Sequence, residues 1–181
     1  MQFAIAESDF YSFPTLGFSI FTVFDSDREE GTTNEKSNHR VGRGVDVIEC
    51  IGWGGVVTVA STHSAKDTAD KFVAIAQEKG LNVFARINHQ ENATKVDMTL
   101  RPTEVIVFGN PKVGTPLMIC AQEVALDLPQ KVLVYEDDEG KTWLAYNDPM
   151  YLKQRHHIEG CDEVLNKISG VLSNLINAAA K

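Results

Sequence analysis

Two periodicities take turns along this chain. Residues 56–61 (VVTVAS) are apolar and β-branched and read as a strand. A helical stripe follows: Ser64 stands as N-cap with Asp67 three positions on, and Ala65, Ala69, Phe72, Val73 and Ala76 repeat at helical spacing up to Gly80. Residues 81–87 return to a strand pattern, with Leu81, Val83, Ala85 and Ile87 expected on one face. Residues 104–109 (EVIVFG) are nearly all apolar, which fits a central strand buried on both faces. Thr115-Pro116 predicts an N-cap with proline at the first helical position. Residues 131–136 and 142–146 form a hairpin around Asp137, Asp138, Glu139 and Gly140. A short helix is expected over 149–155, and a longer one over 161–178 with Val164, Leu165, Ile168, Val171, Leu172, Leu175 and Ile176 on one wide face. This order of elements predicts an α+β, two-layer fold: a single mixed β-sheet with helices packed mainly on one face.

The pattern changes abruptly upstream. Residues 1–24 are rich in phenylalanine, and residues 25–44 are polar and nearly free of apolar side chains. The expected organisation is an appendage and linker over residues 1–44 and an α+β domain over residues 45–181.

Composition narrows the function. At 181 residues the chain can hold one full hydrophobic core plus an appendage. Its formal net charge of -8 argues against nucleic acid, which needs a concentrated basic surface. Glu7 and Asp9 stand where a signal peptide would be basic, and the apolar run over residues 16–24 is too short to span a bilayer. Cys50, Cys120 and Cys161 are widely spaced and form no CxxC pair, so they read as thiols in a reducing compartment. No membrane partner and a cytoplasmic location are the resulting expectations.

Candidate chemistry gathers near strand ends. Residues 109–115 follow a strand in a GxxxxG spacing, but Thr115 stands where a phosphate loop carries lysine. Free amides at a helix starting at Pro116, with Lys112 nearby, would instead suit a carboxylate or phosphate. His89, Arg101, Glu104, Asn110, Asp127 and Tyr146 also fall at strand ends and turns, and their convergence would make a polar cleft. His156 and His157 are adjacent on a helix end, so they share no face and make a poor metal pair. No metal site is expected. Haem is an alternative, with one axial ligand from His89, His156 or His157 and a second from Met118 or Cys120.

An ordered set of short motifs then carries a resemblance. These are Ile87-Asn88-His89 with Ala93, Leu100-Arg101-Pro102-Thr103, Phe108-Gly109-Asn110-Pro111 and Gly114-Thr115-Pro116-Leu117-Met118. They continue with Leu126-Asp127-Leu128-Pro129, Val134-Tyr135-Glu136-Asp137 and Tyr146-Asn147-Asp148-Pro149. Over residues 56–158 the chain resembles the family called domain of unknown function 302. The resemblance implies a small two-layer α/β domain that forms homodimers, without an accepted enzymatic activity. The family usually has aspartate before the histidine where this chain has Asn88, which weakens any acid–base role for His89.

The expected function is therefore a homodimeric small-ligand-binding or sensing module for an anionic ligand. Its candidate site is His89, Arg101, Gly109, Asn110, Lys112, Thr115 and Tyr146, with no resident cofactor. The alternatives are a haem protein with histidine ligation, and an enzyme with His89 as general base assisted by Arg101 or Tyr146.

Overall fold

The computed structural model describes residues 49–51 and 54–181; the appendage and linker expected over residues 1–44 lie outside the described residues. Among the described residues six strands form one sheet: β1 (Glu49–Ile51), β2 (Val56–Ala60), β3 (Asn82–Asn88), β4 (Thr103–Gly109), β5 (Gln130–Glu136) and β6 (Thr142–Asn147). Their order across the sheet is β1-β2-β6-β5-β4-β3. Every pairing is antiparallel. The α+β class is as expected; the sheet, expected mixed, is antiparallel throughout because no helical crossover joins two neighbouring strands.

Among the described residues five helices accompany the sheet: α1 (Ala65–Glu78), α2 (His89–Thr94), α3 (Pro111–Cys120), α4 (Pro149–Arg155) and α5 (Asp162–Ala180), with a 3-10 turn at Gln122–Leu126. The inward sheet residues Val59, Leu144, Val134, Val132, Ile106 and Phe108 share one core with Ala69 and Phe72 of α1, Leu117 of α3 and Leu165, Leu172 and Ile176 of α5. The rings of Phe72 and Phe108 meet edge-to-face at 4.8 Å, joining helix layer to sheet layer. Burying a side chain such as Phe72 completely contributes roughly 1.5–3 kcal/mol relative to leaving it exposed.

Four local expectations change in the fold, each for a physical reason. First, β4 is buried on its helix side only. Ile106 and Phe108 are enclosed, whereas Val105 and Val107 on the other side are only half-buried. Second, Val83 does not share a face with Ala85 and Ile87. The β3–β4 register slips between Val83 and Ala85, so Phe84 is an extra residue: Val83 pairs with Phe108 on the core side, and Ile87 pairs with Val105 on the other. The bulge also turns Arg86 toward the helices, where its guanidinium bonds Asp70 of α1 at 2.7 Å and chelates Glu104.

Third, α3 starts five residues before Pro116. Asn110 is extended (φ -135°, ψ 120°) and its Oδ1 accepts from Lys112 N at 2.9 Å, while Pro111 takes the first helical position. Pro116 consequently sits inside the helix, where it removes one backbone donor. Fourth, Cys120 and Cys161 are joined as a disulfide, with Cα atoms 6.6 Å apart, instead of remaining thiols. The end of α3 and the start of α5 bring together two cysteines that are 41 residues apart in sequence.

Candidate functional site

A cavity of about 650 Å³ opens at the end of the sheet where β4 finishes and β5 begins. This volume lies in the usual range for small-molecule sites. Its sides come from the end of α1, the bulged start of β3, α3, the loop before β5, and α5. Leu81, Phe84, Val113, Met118, Leu128 and Val171 make most of it apolar. Phe84 and Val171 line it while remaining 52% and 39% exposed, so the apolar surface continues out to solvent.

The polar groups are few. Gln130, the first residue of β5, is 8% exposed, and its Nε2 has no hydrogen-bond partner among the described residues. An unpaired buried donor costs about 1–3 kcal/mol. Lys79, the residue ending α1, and Lys167 of α5 are the charged side chains of the lining. Both are exposed, and neither ion-pairs among the described residues.

The residues expected to form the site are scattered. Gly109, Asn110 and Thr115 line this cavity. Lys112 is exposed on α3 and does not line it. His89 is at the opposite end of the sheet: Asn88 before it pairs with Glu104 at the start of β4, whereas Gly109 ends that strand. Five residues of strand separate the two by roughly 17 Å. Arg101 lies at the His89 end, where its Nε donates to the carbonyl of Glu136 at 3.2 Å. Tyr146 is 7% exposed, inside the core between Val57 and Val132. The expected convergence of His89 with the Gly-Asn-Pro corner does not occur, because an antiparallel sheet sets them at opposite ends of one strand.

The expected free amides are also absent from the corner. The Lys112 amide is taken by the Asn110 side chain, and those of Val113 and Gly114 by the Asn110 carbonyl. Asn88 serves α2 in a similar way: its Oδ1 accepts from Glu91 N at 3.0 Å, and its Nδ2 donates to Glu91 Oε1 at 3.0 Å. His89 is thus the exposed first residue of a short helix.

Two of the groups named for haem are engaged elsewhere. Cys120 is bonded to Cys161, and His156 Nε2 is 2.5 Å from Asp127 Oδ2. Met118 lines the cavity while His89 is at the far end of the sheet, so these side chains do not form an axial pair. Among the described residues no group of three or more His, Cys, Asp or Glu side chains could hold a metal ion.

Sequence reasoning missed Gln130, Lys79 and Lys167. One signal was available for Gln130: it has the parity of the inward-facing Val132 and Val134, so it is a polar residue on the core side of an apolar strand. The lysines carry no such mark, since each reads as an ordinary solvated residue on a helix.

The family pattern described as "Domain of unknown function DUF302" matches residues 57–175. The chain belongs to the DUF302 family. The fold agrees with a solved DUF302 protein from Bacillus stearothermophilus, at a TM-score of 0.63 and 17% identity, covering 69% of this chain and 98% of that one. Similarity at that identity speaks to fold alone. Two curated relatives, both named fluoride-specific ion channel FluC 1, come from Brucella suis biovar 1 (strain 1330) and Brucella abortus biovar 1 (strain 9-941). Each is 46% identical over 104 residues, which is 58% of this chain but 41% and 38% of those proteins. This DUF302 chain therefore spans about two fifths of the length of the relatives it matches. Among its described residues no helix is long and apolar enough to cross a membrane.

Proposed function

We propose that this DUF302 domain is a small-ligand-binding module and that its site is the cavity between α1, α3, α5 and the junction of β4 with β5. The observation that carries this reading is a recess of about 650 Å³ with a mostly apolar lining, to which Gln130, whose buried Nε2 has no hydrogen-bond partner among the described residues, also contributes. A protein gains nothing from burying an amide this way, whereas a ligand acceptor would satisfy it. The family resemblance further implies a homodimer. The sheet face turned away from the helices supports that part, since Leu133, Val105 and Val107 are half-buried there and Ile87 is 38% exposed.

Binding is tested with Val171→Trp, which puts an indole at the mouth of the cavity from a residue that is already partly exposed. A thermal-shift screen of small amphipathic compounds should yield hits that stabilise the native chain and leave Val171→Trp unmoved at equal helicity. A screen whose hits act equally on both proteins would remove the cavity as the site. Sedimentation of the native chain and of Ile87→Lys tests the dimer, with loss of the larger species expected in the variant.

A second reading follows from the relatives. Similarity to proteins named as fluoride channels supports a domain that works alongside such a channel. Fluoride efflux from vesicles holding a channel, measured with and without this chain, tests that role; an unchanged rate would end it.

A further inference from the structure

The cavity has two kinds of lining, and their arrangement identifies a class of ligand. Its interior is hydrocarbon, from Leu81 and Val113 to Met118 and Leu128, and contains no carboxylate. The charged residues that line it are Lys79, at the end of α1, and Lys167 of α5, both solvent-exposed. The chain as a whole carries a formal net charge of -8, so an all-cationic rim is unlike the average surface. Gln130 also lines the cavity, and its buried Nε2 is a donor without an acceptor among the described residues.

We propose that the ligand is an amphipathic anion: an unbranched or flat hydrocarbon body seated among the apolar side chains, with an anionic oxygen head, carboxylate or phosphate, held by Lys79 and Lys167 and reached by the Gln130 amide. This rests on the cavity being the binding site. The physical division of labour is plain. Apolar area taken out of water supplies most of the affinity. Two ammoniums at a solvent boundary discriminate by charge and raise the association rate, and add modestly to affinity. The Gln130 donor fixes how deep the head sits, because only a head placed against β5 relieves it. Phe84 and Val171, exposed at the mouth, would be covered by the part of the body nearest the head.

Titration calorimetry below the micellar concentration separates the parts of this assignment. The probes are decanoate, decyl phosphate, decanol and decylamine, applied to the native chain, Lys79→Met/Lys167→Met, Gln130→Leu and Val171→Trp. Decanoate or decyl phosphate should bind about five- to tenfold more tightly than decanol, the size expected for partly exposed charge pairs, and decylamine more weakly still. The double lysine variant should erase the preference for the anions while leaving decanol unchanged. Gln130→Leu should weaken the oxygen-headed probes, and Val171→Trp should abolish binding of all four. Which anion binds more tightly distinguishes a carboxylate head from a phosphate head. Equal binding of anion and alcohol, indifferent to the lysines but lost in Val171→Trp, would overturn the anionic assignment and leave the cavity as the site. Binding of no probe, or binding that survives in Val171→Trp, would overturn both.

Discussion

His156 Nε2 donates to Asp127 Oδ2 across 2.5 Å, with the two side chains only 5% and 13% exposed. The bond ties the loop entering β5, one wall of the cavity, to the end of α4 on the far side of the chain's numbering. Arg155 Nε approaches the same carboxylate oxygen at 3.5 Å, and Lys131 Nζ donates to the Asp127 carbonyl at 3.0 Å. Four residues thus hold the segment that presents Leu128, Pro129 and Gln130 to the cavity.

Removing the acceptor should therefore cost stability. Asp127→Ala leaves a buried imidazole donor without a partner, and a loss of about 1–3 kcal/mol is expected from urea unfolding. Asp127→Asn keeps an acceptor oxygen in the same place and should lose less than alanine does. Equal losses for the two variants would show that the segment is held by packing rather than by this bond.

The Cys120–Cys161 disulfide closes a loop of about forty residues between α3 and α5, the two helices that flank the cavity. Constraining the unfolded chain by a loop of this size stabilises the fold by about 2–4 kcal/mol. Unfolding in the presence of dithiothreitol, or of Cys120→Ala/Cys161→Ala, should show a loss of that size. Dithiothreitol should have no further effect on the double variant.

What could be read from the residues depended on the range of the interactions involved. Residues 64–80 announce α1 because a cap, a stripe and a terminating glycine all act within one or two turns, and the helix runs Ala65–Glu78 with Gly80 at φ +73°. The 149–155 helix and the hairpin expected over 131–146, observed as Gln130–Glu136 and Thr142–Asn147, are legible for the same local reason. The bulge at Phe84 was not, since strict alternation over residues 81–87 is satisfied by an unbulged strand, and only pairing with β4 reveals the extra residue. Thr115-Pro116 misled because two valid helix starts compete within six residues, and Asn110-Pro111 makes the better cap. The grouping of the site residues is the least legible part. Grouping His89 with Gly109 assumed that strand ends meet, whereas in an antiparallel sheet successive strand ends alternate between two edges of the molecule.

Gly170 occupies the middle of the 19-residue helix α5, and a Cβ built there meets nothing within 4 Å. Alanine at this position lowers the entropy of the unfolded chain without a steric penalty. Gly170→Ala should stabilise the domain by about 0.4–1 kcal/mol in chemical denaturation. A destabilised variant would mean that a partner, such as a second copy, packs against that bare backbone.

The hairpin tip carries the chain's clearest test by acid. Trp143 Nε1 donates to Asp137 Oδ2 at 2.6 Å, and the amides of Glu139 and Lys141 donate to Oδ1 at 3.0 and 2.9 Å. The Trp143 bond first, then the Lys141 amide, hold the Asp137 carboxyl below its ordinary value. The folded value is thus below the unfolded one, so the stability that Asp137 contributes is fully present above the unfolded value. It is lost as pH falls through the folded value, in a window that lies below about pH 4. Asp70, held low by Lys66 and then Arg86, titrates in the same direction, so the wild type alone cannot isolate Asp137. The comparison with Asp137→Asn does. Urea midpoints measured from neutral pH downward should fall more steeply in the wild type than in the variant below about pH 4, with the curves parallel above it. Curves parallel throughout would mean that the three hydrogen bonds to Asp137 do not distinguish its charged form from its neutral one.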